Sequence, residues 1–214
     1  MLTEKTPAEL VAYIGRLMFA RRLTDIAGGN VSLRAGGVIY CTPRYAGQRW
    51  HWQLQADDIL PLESSLIEEV MDLDLVRANP ALSREIYTHL AIYGAFPEVG
   101  GIIHAHPRHV LPFCAQELPI EPVLEAAERF GVLTYHAPAP HYSWEQAQAI
   151  VGALLEKREH LRQDAAAVLM PRHGILVAGT DLWAAIEALE VIDLNAWCLI
   201  AGKMLRNWAG SKPD

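Results

Sequence analysis

The sequence predicts an α/β fold in which a central sheet is covered by helices on both faces. Two observations carry that expectation. Short apolar runs of strand length alternate with amphipathic stretches of helical period along the whole chain. The 214 residues, 51% of them hydrophobic, suffice for one core, and no repeat, low-complexity segment or linker divides them. Residues 1–214 are therefore read as a single domain.

Residues 7–22 place Leu10, Ile14, Leu17 and Met18 at helical spacing, with Thr6 as cap and Pro7 in the first turn. VSLR and VIYC flank Gly36-Gly37 and predict a β-hairpin. Residues 57–62 read as a further short strand, and the acidic stretch 63–74 as loop and partial helix. SREIYTHLAIYGAFP predicts a helix ended by Pro97, VGGIIHAH a buried strand, and PRHVLPFCAQ a short helix. EPVLEAAERFG has helical character, VLTYHA reads as a strand, and SWEQAQAIVGALLEKREH as one helix capped by Ser143. AAAVLMPRHG and ILVAG predict strands on either side of His173, and a long last helix starts after Thr180 or Asp181.

Composition excludes several classes of function. Lys and Arg number 18 against 25 Asp and Glu, a net charge of -7, the reverse of what phosphate-backbone binding needs, so no nucleic-acid partner is expected. No uncharged apolar run of 18 residues predicts a membrane span, and Glu4 and Glu9 interrupt the first residues in a way no signal peptide tolerates. Cys41, Cys114 and Cys198 are odd in number and unpatterned, which fits reduced thiols in a cytoplasm.

Nine histidines are the unusual feature. His104 and His106 stand two apart, so on a strand both imidazoles project from one face and can meet one ion. Pro107 ends that strand, which puts the pair at its carboxyl end. Two polar residues at an exposed strand end would read the same way. His173, before Gly174 at the end of another apolar run, supplies a third imidazole, and three histidines match the ligand set of a catalytic zinc site. Glu85 adds a carboxylate as a further ligand or a general base, or else as a helix N-terminal acid complementing the dipole.

HAHP, the upstream glutamate, the later HG, GGNVSLR and VIYCTP, in this order, are similar to the motifs of the class II aldolase and adducin-like superfamily. The resemblance runs from about residue 8 to residue 205. It implies a three-layer α/β/α fold with a mixed, largely antiparallel central sheet, assembled as a homotetramer with its active site between subunits. It implies that His104, His106 and His173 hold a divalent metal, zinc or else Mn2+ or Co2+, with Glu85 as the catalytic acid/base. Gly29, Asn30, Thr42, Arg44, Ser83, Arg84 and His141 are the expected substrate contacts.

The implied activity is that of a metal-dependent lyase of carbohydrate metabolism, an aldolase or decarboxylase. It would cleave a carbon–carbon bond in a small sugar-derived phosphate or acid through an enediolate that the metal stabilises. A sugar-phosphate dehydratase or epimerase would use the same centre. An adducin-like interaction domain, a different class of function, would need no metal ligands.

The chain also departs from the family. Arg44 stands where the aldolases carry threonine in Thr-Pro-Thr-Gly, and Arg84 replaces the second of two serines. Either arginine binds an anionic substrate or is a solvated surface charge or a salt bridge between subunits. The family's tyrosine acid should fall near 120–124, where IEPVL contains none; Glu125, His136, His141 and Tyr142 are candidate replacements. His109 reads as an outer contact of the ligands or an exposed histidine, and His89 as a neighbour of Glu85 one helical turn on.

Overall fold

The computed structural model describes residues 5–67 and 79–210. Helix α1 (Pro7–Ala20) opens with a reciprocal cap: Thr6 Oγ1 accepts from the Glu9 amide at 3.3 Å, and Glu9 Oε2 accepts from the Thr6 amide at 2.7 Å. Strands β1 (Asn30–Ala35) and β2 (Val38–Cys41) form the expected hairpin, because Gly36 and Gly37 take φ of 59° and 80°, the left-handed pair a two-residue turn requires. After α2 (Ala46–Trp50), a 3-10 turn (Ala56–Asp58) leads to β3 (Leu60–Glu63).

Helix α3 (Ile86–Ala95), strand β4 (Gly101–Ala105), and the short helices α4 (Leu111–Gln116) and α5 (Glu125–Glu128) follow. Next come α6 (Trp144–Leu155), α7 (Arg158–Gln163), β5 (Ala165–Met170), β6 (Gly174–Gly179) and the long α8 (Leu182–Gly210). Asp181 starts α8, its Oδ1 accepting from the Ala184 amide at 2.8 Å. No described helix is long and apolar enough to cross a membrane.

The sheet order is β3-β2-β1-β4-β6-β5, and all five ladders are antiparallel. Among the described residues the only parallel pairing is the isolated bridge Tyr135↔Leu169. Strand alternation divides the core into two layers. Val31, Ile103, Leu169 and Val177 pack with Ile14 of α1 and Leu189 of α8. Ile39, Ile102, Val168 and Leu176 face the other way and pack with Leu90 of α3 and Ile150 of α6. Truncating any of these fully buried aliphatics to alanine is expected to cost about 2–5 kcal/mol.

The central strands turn polar residues into this second layer. Ser32 Oγ lies 2.7 Å from His89 Nδ1 and 2.9 Å from the Tyr93 hydroxyl, so His89 is a buried residue of a hydrogen-bonded network. Arg34 donates to the carbonyls of Tyr93, Phe96, Pro97 and Val99, closing the C-terminal end of α3 onto the sheet.

Three expectations change. VLTYHA is no strand: it touches β5 through the Tyr135 bridge and then meets Pro138 and Pro140, which have no N–H to continue a ladder. EPVLEAAERFG shrinks to the single turn α5. The helix begun at Ser143 is two helices, α7 turning so that Leu161 enters the second core layer. Helix α2 falls on residues for which no element is expected. In the acidic stretch, Ser64–Ile67 is a 3-10 turn; the remainder of that expectation falls on residues outside those described.

Candidate metal centre

The register of β1 against β4 places Asn30 opposite His104, and alternation points both side chains toward the start of α3, where Glu85 is the N-cap residue. His106 lies one residue beyond β4, and His173 lies in the turn joining β5 to β6. The three rings converge, with centroids 5.0 Å apart for His104–His106, 4.7 Å for His104–His173 and 5.2 Å for His106–His173. One nitrogen from each lies within 4.8 Å of the others.

Outer contacts orient two of the rings. His104 Nδ1 lies 3.1 Å from the Ile175 carbonyl, which only accepts, so Nδ1 carries the proton and Nε2 keeps its lone pair. His106 Nδ1 faces Asp25 Oδ1 at 3.3 Å, with the same consequence. His104 Nε2, His106 Nε2, His173 Nδ1 and Glu85 Oε1 are all buried without a hydrogen-bond partner. Buried polar atoms are nearly always paired, and two lone pairs facing each other cannot pair. A divalent cation resolves the conflict, so the residues fit a metal ion.

Burial pushes the His104 and His173 imidazoles down to about 3, helped at His104 by His106 and at His173 by His104, so both stay neutral and able to ligate. Glu85 Oε2 accepts from Asn30 Nδ2 at 2.7 Å and stands 3.4 Å from His104 Nε2; Oε1 stands 3.8 Å from His173 Nδ1. Burial pushes its carboxyl up, against the opposing pull of His173 and the Asn30 hydrogen bond. A carboxyl held closer to neutrality can both take and return a proton.

A cavity of about 110 Å³ joins these groups to Gly29, Asn30, Ser83, Arg44 and Arg84. Two of the expected substrate contacts stand differently. Thr42 does not border the cavity: strand direction turns its side chain inward, and its hydroxyl accepts from the Val31 amide at 3.1 Å. His141 does not line the wall but stands edge-on to His173 at 5.6 Å.

Tyr142 does line the cavity, its ring 5.9 Å from His173, whereas Glu125 is exposed on α5 and His136 is bound to the Ala137 carbonyl at 2.6 Å. His109 is paired with Asp193 at 2.8 Å. Asp25 escaped the sequence reading altogether, because nothing in TDIAGGN ties it to a histidine 81 positions away.

The family model for the class II aldolase and adducin N-terminal domain matches residues 9–199. An L-fuculose phosphate aldolase of Methanococcus maripaludis is 25% identical over 84% of this chain and 88% of its own length. A 3,4-dihydroxyphthalate decarboxylase of Arthrobacter keyseri is 26% identical over 90% of this chain and 77% of its own length. The structure of an L-fuculose-1-phosphate aldolase from Thermus thermophilus covers 98% of this chain and 100% of its own at a TM-score of 0.73 and 20% identity, and so shares the fold. With the matched region spanning every strand and all three histidines, the chain belongs to the class II aldolase and adducin family.

Proposed function

We propose that this protein is a metal-dependent lyase that breaks a carbon–carbon bond next to a carbonyl in a small anionic substrate, as an aldolase or a decarboxylase. The observation that carries the reading is the set of four buried, unpartnered lone-pair atoms of His104, His106, His173 and Glu85. An interaction module has no use for such an arrangement. Three imidazoles favour zinc, with Mn2+ or Co2+ as substitutes. The ion, when bound, supplies Lewis-acid stabilisation of the charge that builds on the substrate's carbonyl oxygen as the bond breaks.

The chain's own residues do the rest. Asn30 fixes the Glu85 carboxyl beside the imidazoles, and Glu85 takes the proton released on bond cleavage or returns one to the product carbon. Arg44 and Arg84 hold the substrate's anionic group. The relatives named above, an aldolase and a decarboxylase, support a lyase.

Assembly into a homotetramer in the cytoplasm belongs to the same reading, supported by the exposed Leu194, Met204 and Leu205 on α8. Sedimentation would reveal a monomer if that part is wrong. The test of the centre is metal content together with turnover of a panel of ketose phosphates and keto or aromatic acids. The protein is expected to hold one divalent ion per chain, His106→Ala to lose it, and Glu85→Gln to keep it while releasing neither aldehyde nor carbon dioxide. Wild-type protein without a divalent ion, or product lacking only water, would sink the lyase reading.

A further inference from the structure

Two arginines on the cavity wall form no salt bridge among the described residues. The Arg44 guanidinium lies 4.8 Å over the Tyr45 ring, and its Nε is buried without a hydrogen-bond partner. The Arg84 guanidinium lies 3.9 Å over the Tyr142 ring. Tyr45 and Tyr142 both take left-handed backbone, φ 66° and 60°, an unfavourable conformation for a side chain of this size that the surrounding structure must hold in place. The segments carrying the arginines are pinned together by the Pro43↔Leu82 bridge and by the Arg44 amide donating to the Ala81 carbonyl at 2.6 Å.

Around them, the glycines leave little room to wrap a tetrahedral phosphate. A glycine-lined phosphate cradle leaves the space of the missing Cβ to the ligand. Here that space is filled by the protein: a Cβ at Gly28 would lie 2.4 Å from His106 Cε1, at Gly29 2.7 Å from Thr24 Oγ1, and at Gly47 2.6 Å from the Ile26 carbonyl oxygen. Asn30 Nδ2 is already engaged by Glu85 and Ser83. The cationic donors of the wall are two planar guanidinium groups, each stacked on a tyrosine ring. A guanidinium edge matches two coplanar oxygens.

We propose that Arg44 and Arg84 form a carboxylate clamp, and that the substrate of this centre is a planar carboxylate bearing adjacent oxygens for the metal rather than a sugar phosphate. The proposal rests on the lyase reading and names the substrate class within it. Calorimetric titration of the zinc-loaded protein with malonate, phthalate, inorganic phosphate and glycerol phosphate tests it. The dicarboxylates are expected to bind at least about tenfold more tightly than either phosphate, and Arg44→Lys and Arg84→Gln each to weaken them by roughly tenfold while zinc content is unchanged.

Phosphate binding as tight as dicarboxylate binding, dicarboxylate binding indifferent to both substitutions, or no dicarboxylate binding would each overturn the clamp while zinc retention leaves the lyase reading standing. A protein that retains no zinc overturns both.

Discussion

Asp25 Oδ1 faces His106 Nδ1 at 3.3 Å, and through that contact a loop residue sets which nitrogen of the imidazole is free to ligate. The same carboxylate oxygen accepts from the Ala27 amide at 2.8 Å and the Gly28 amide at 3.1 Å, so its position is fixed by the turn that carries it. Asp25→Asn can present a donor instead of an acceptor and leaves the ring without its orienting charge. Zinc affinity, measured by competition with a chromogenic chelator, is expected to fall by roughly 10–100-fold with the melting temperature of the metal-free protein little changed. Unaltered affinity would show that the contact does not orient the ligand.

Gly28 presses on the other edge of the same ring. A methyl group there would lie 2.4 Å from His106 Cε1 and 3.0 Å from Nε2, the atom expected to ligate. Gly28→Ala is therefore expected to displace His106 and to weaken zinc binding at least about tenfold. Thr24→Ser, which keeps the hydroxyl that donates to the Gly28 carbonyl, is the matched control in the same loop. Equal zinc affinity in Gly28→Ala and the control would contradict the crowding argument.

The metal-free protein should become less stable as the pH falls. Burial pushes His89, His104 and His173 down to about 3 from 6.5, so below pH 6.5 the unfolded chain takes up protons that the folded chain refuses. Each such group steepens the loss by up to about 1.4 kcal/mol per pH unit across that window. Glu85, pushed up from 4.5 by burial, works in the opposite sense, because its folded form binds a proton at pH values where the unfolded one has lost it. Urea midpoints in the presence of chelator should drop between about pH 7 and about pH 5. A midpoint that holds level or rises would refute the neutral-histidine assignment.

Arg34 ties the end of α3 to the strand beside it. Its guanidinium donates to four carbonyls, among them Tyr93 at 2.9 Å and Pro97 at 2.7 Å, and stacks 4.9 Å from the Tyr93 ring. Arg34→Ala leaves those carbonyls to water or to nothing and is expected to destabilise the fold by about 2–4 kcal/mol. Chemical denaturation reads this directly. A loss within about 0.5 kcal/mol, typical of a surface substitution, would mean the clamp is replaceable by solvent.

Much of this architecture is legible in the sequence because the signals are local. The reciprocal cap at Thr6, the Gly36-Gly37 turn and the apolar runs ending at His104 and before His173 depend on residues a few positions apart. The three histidines could be read as a set because each closes a strand-like run. Where local signals compete with packing, the structure departs from them: VLTYHA has strand composition, yet it makes only isolated bridges, Leu133 with Ile120 and Tyr135 with Leu169 on the edge of the sheet, before its prolines end the pairing. Thr42 carries a family motif, but its hydroxyl serves the Val31 amide.

By itself, the sequence determined an α/β chain whose three histidines and one glutamate are of the types a divalent ion needs. Only the tertiary structure decided that Asp25 orients His106, that Asn30 is bound to Glu85, and that Arg44 and Arg84 meet the same cavity over two tyrosines. The physical reason is range. Caps and turns are fixed by neighbours within a few residues, whereas hydrogen bonds spanning 55 to 81 positions arise only when antiparallel registers bring separate segments to one end of the sheet.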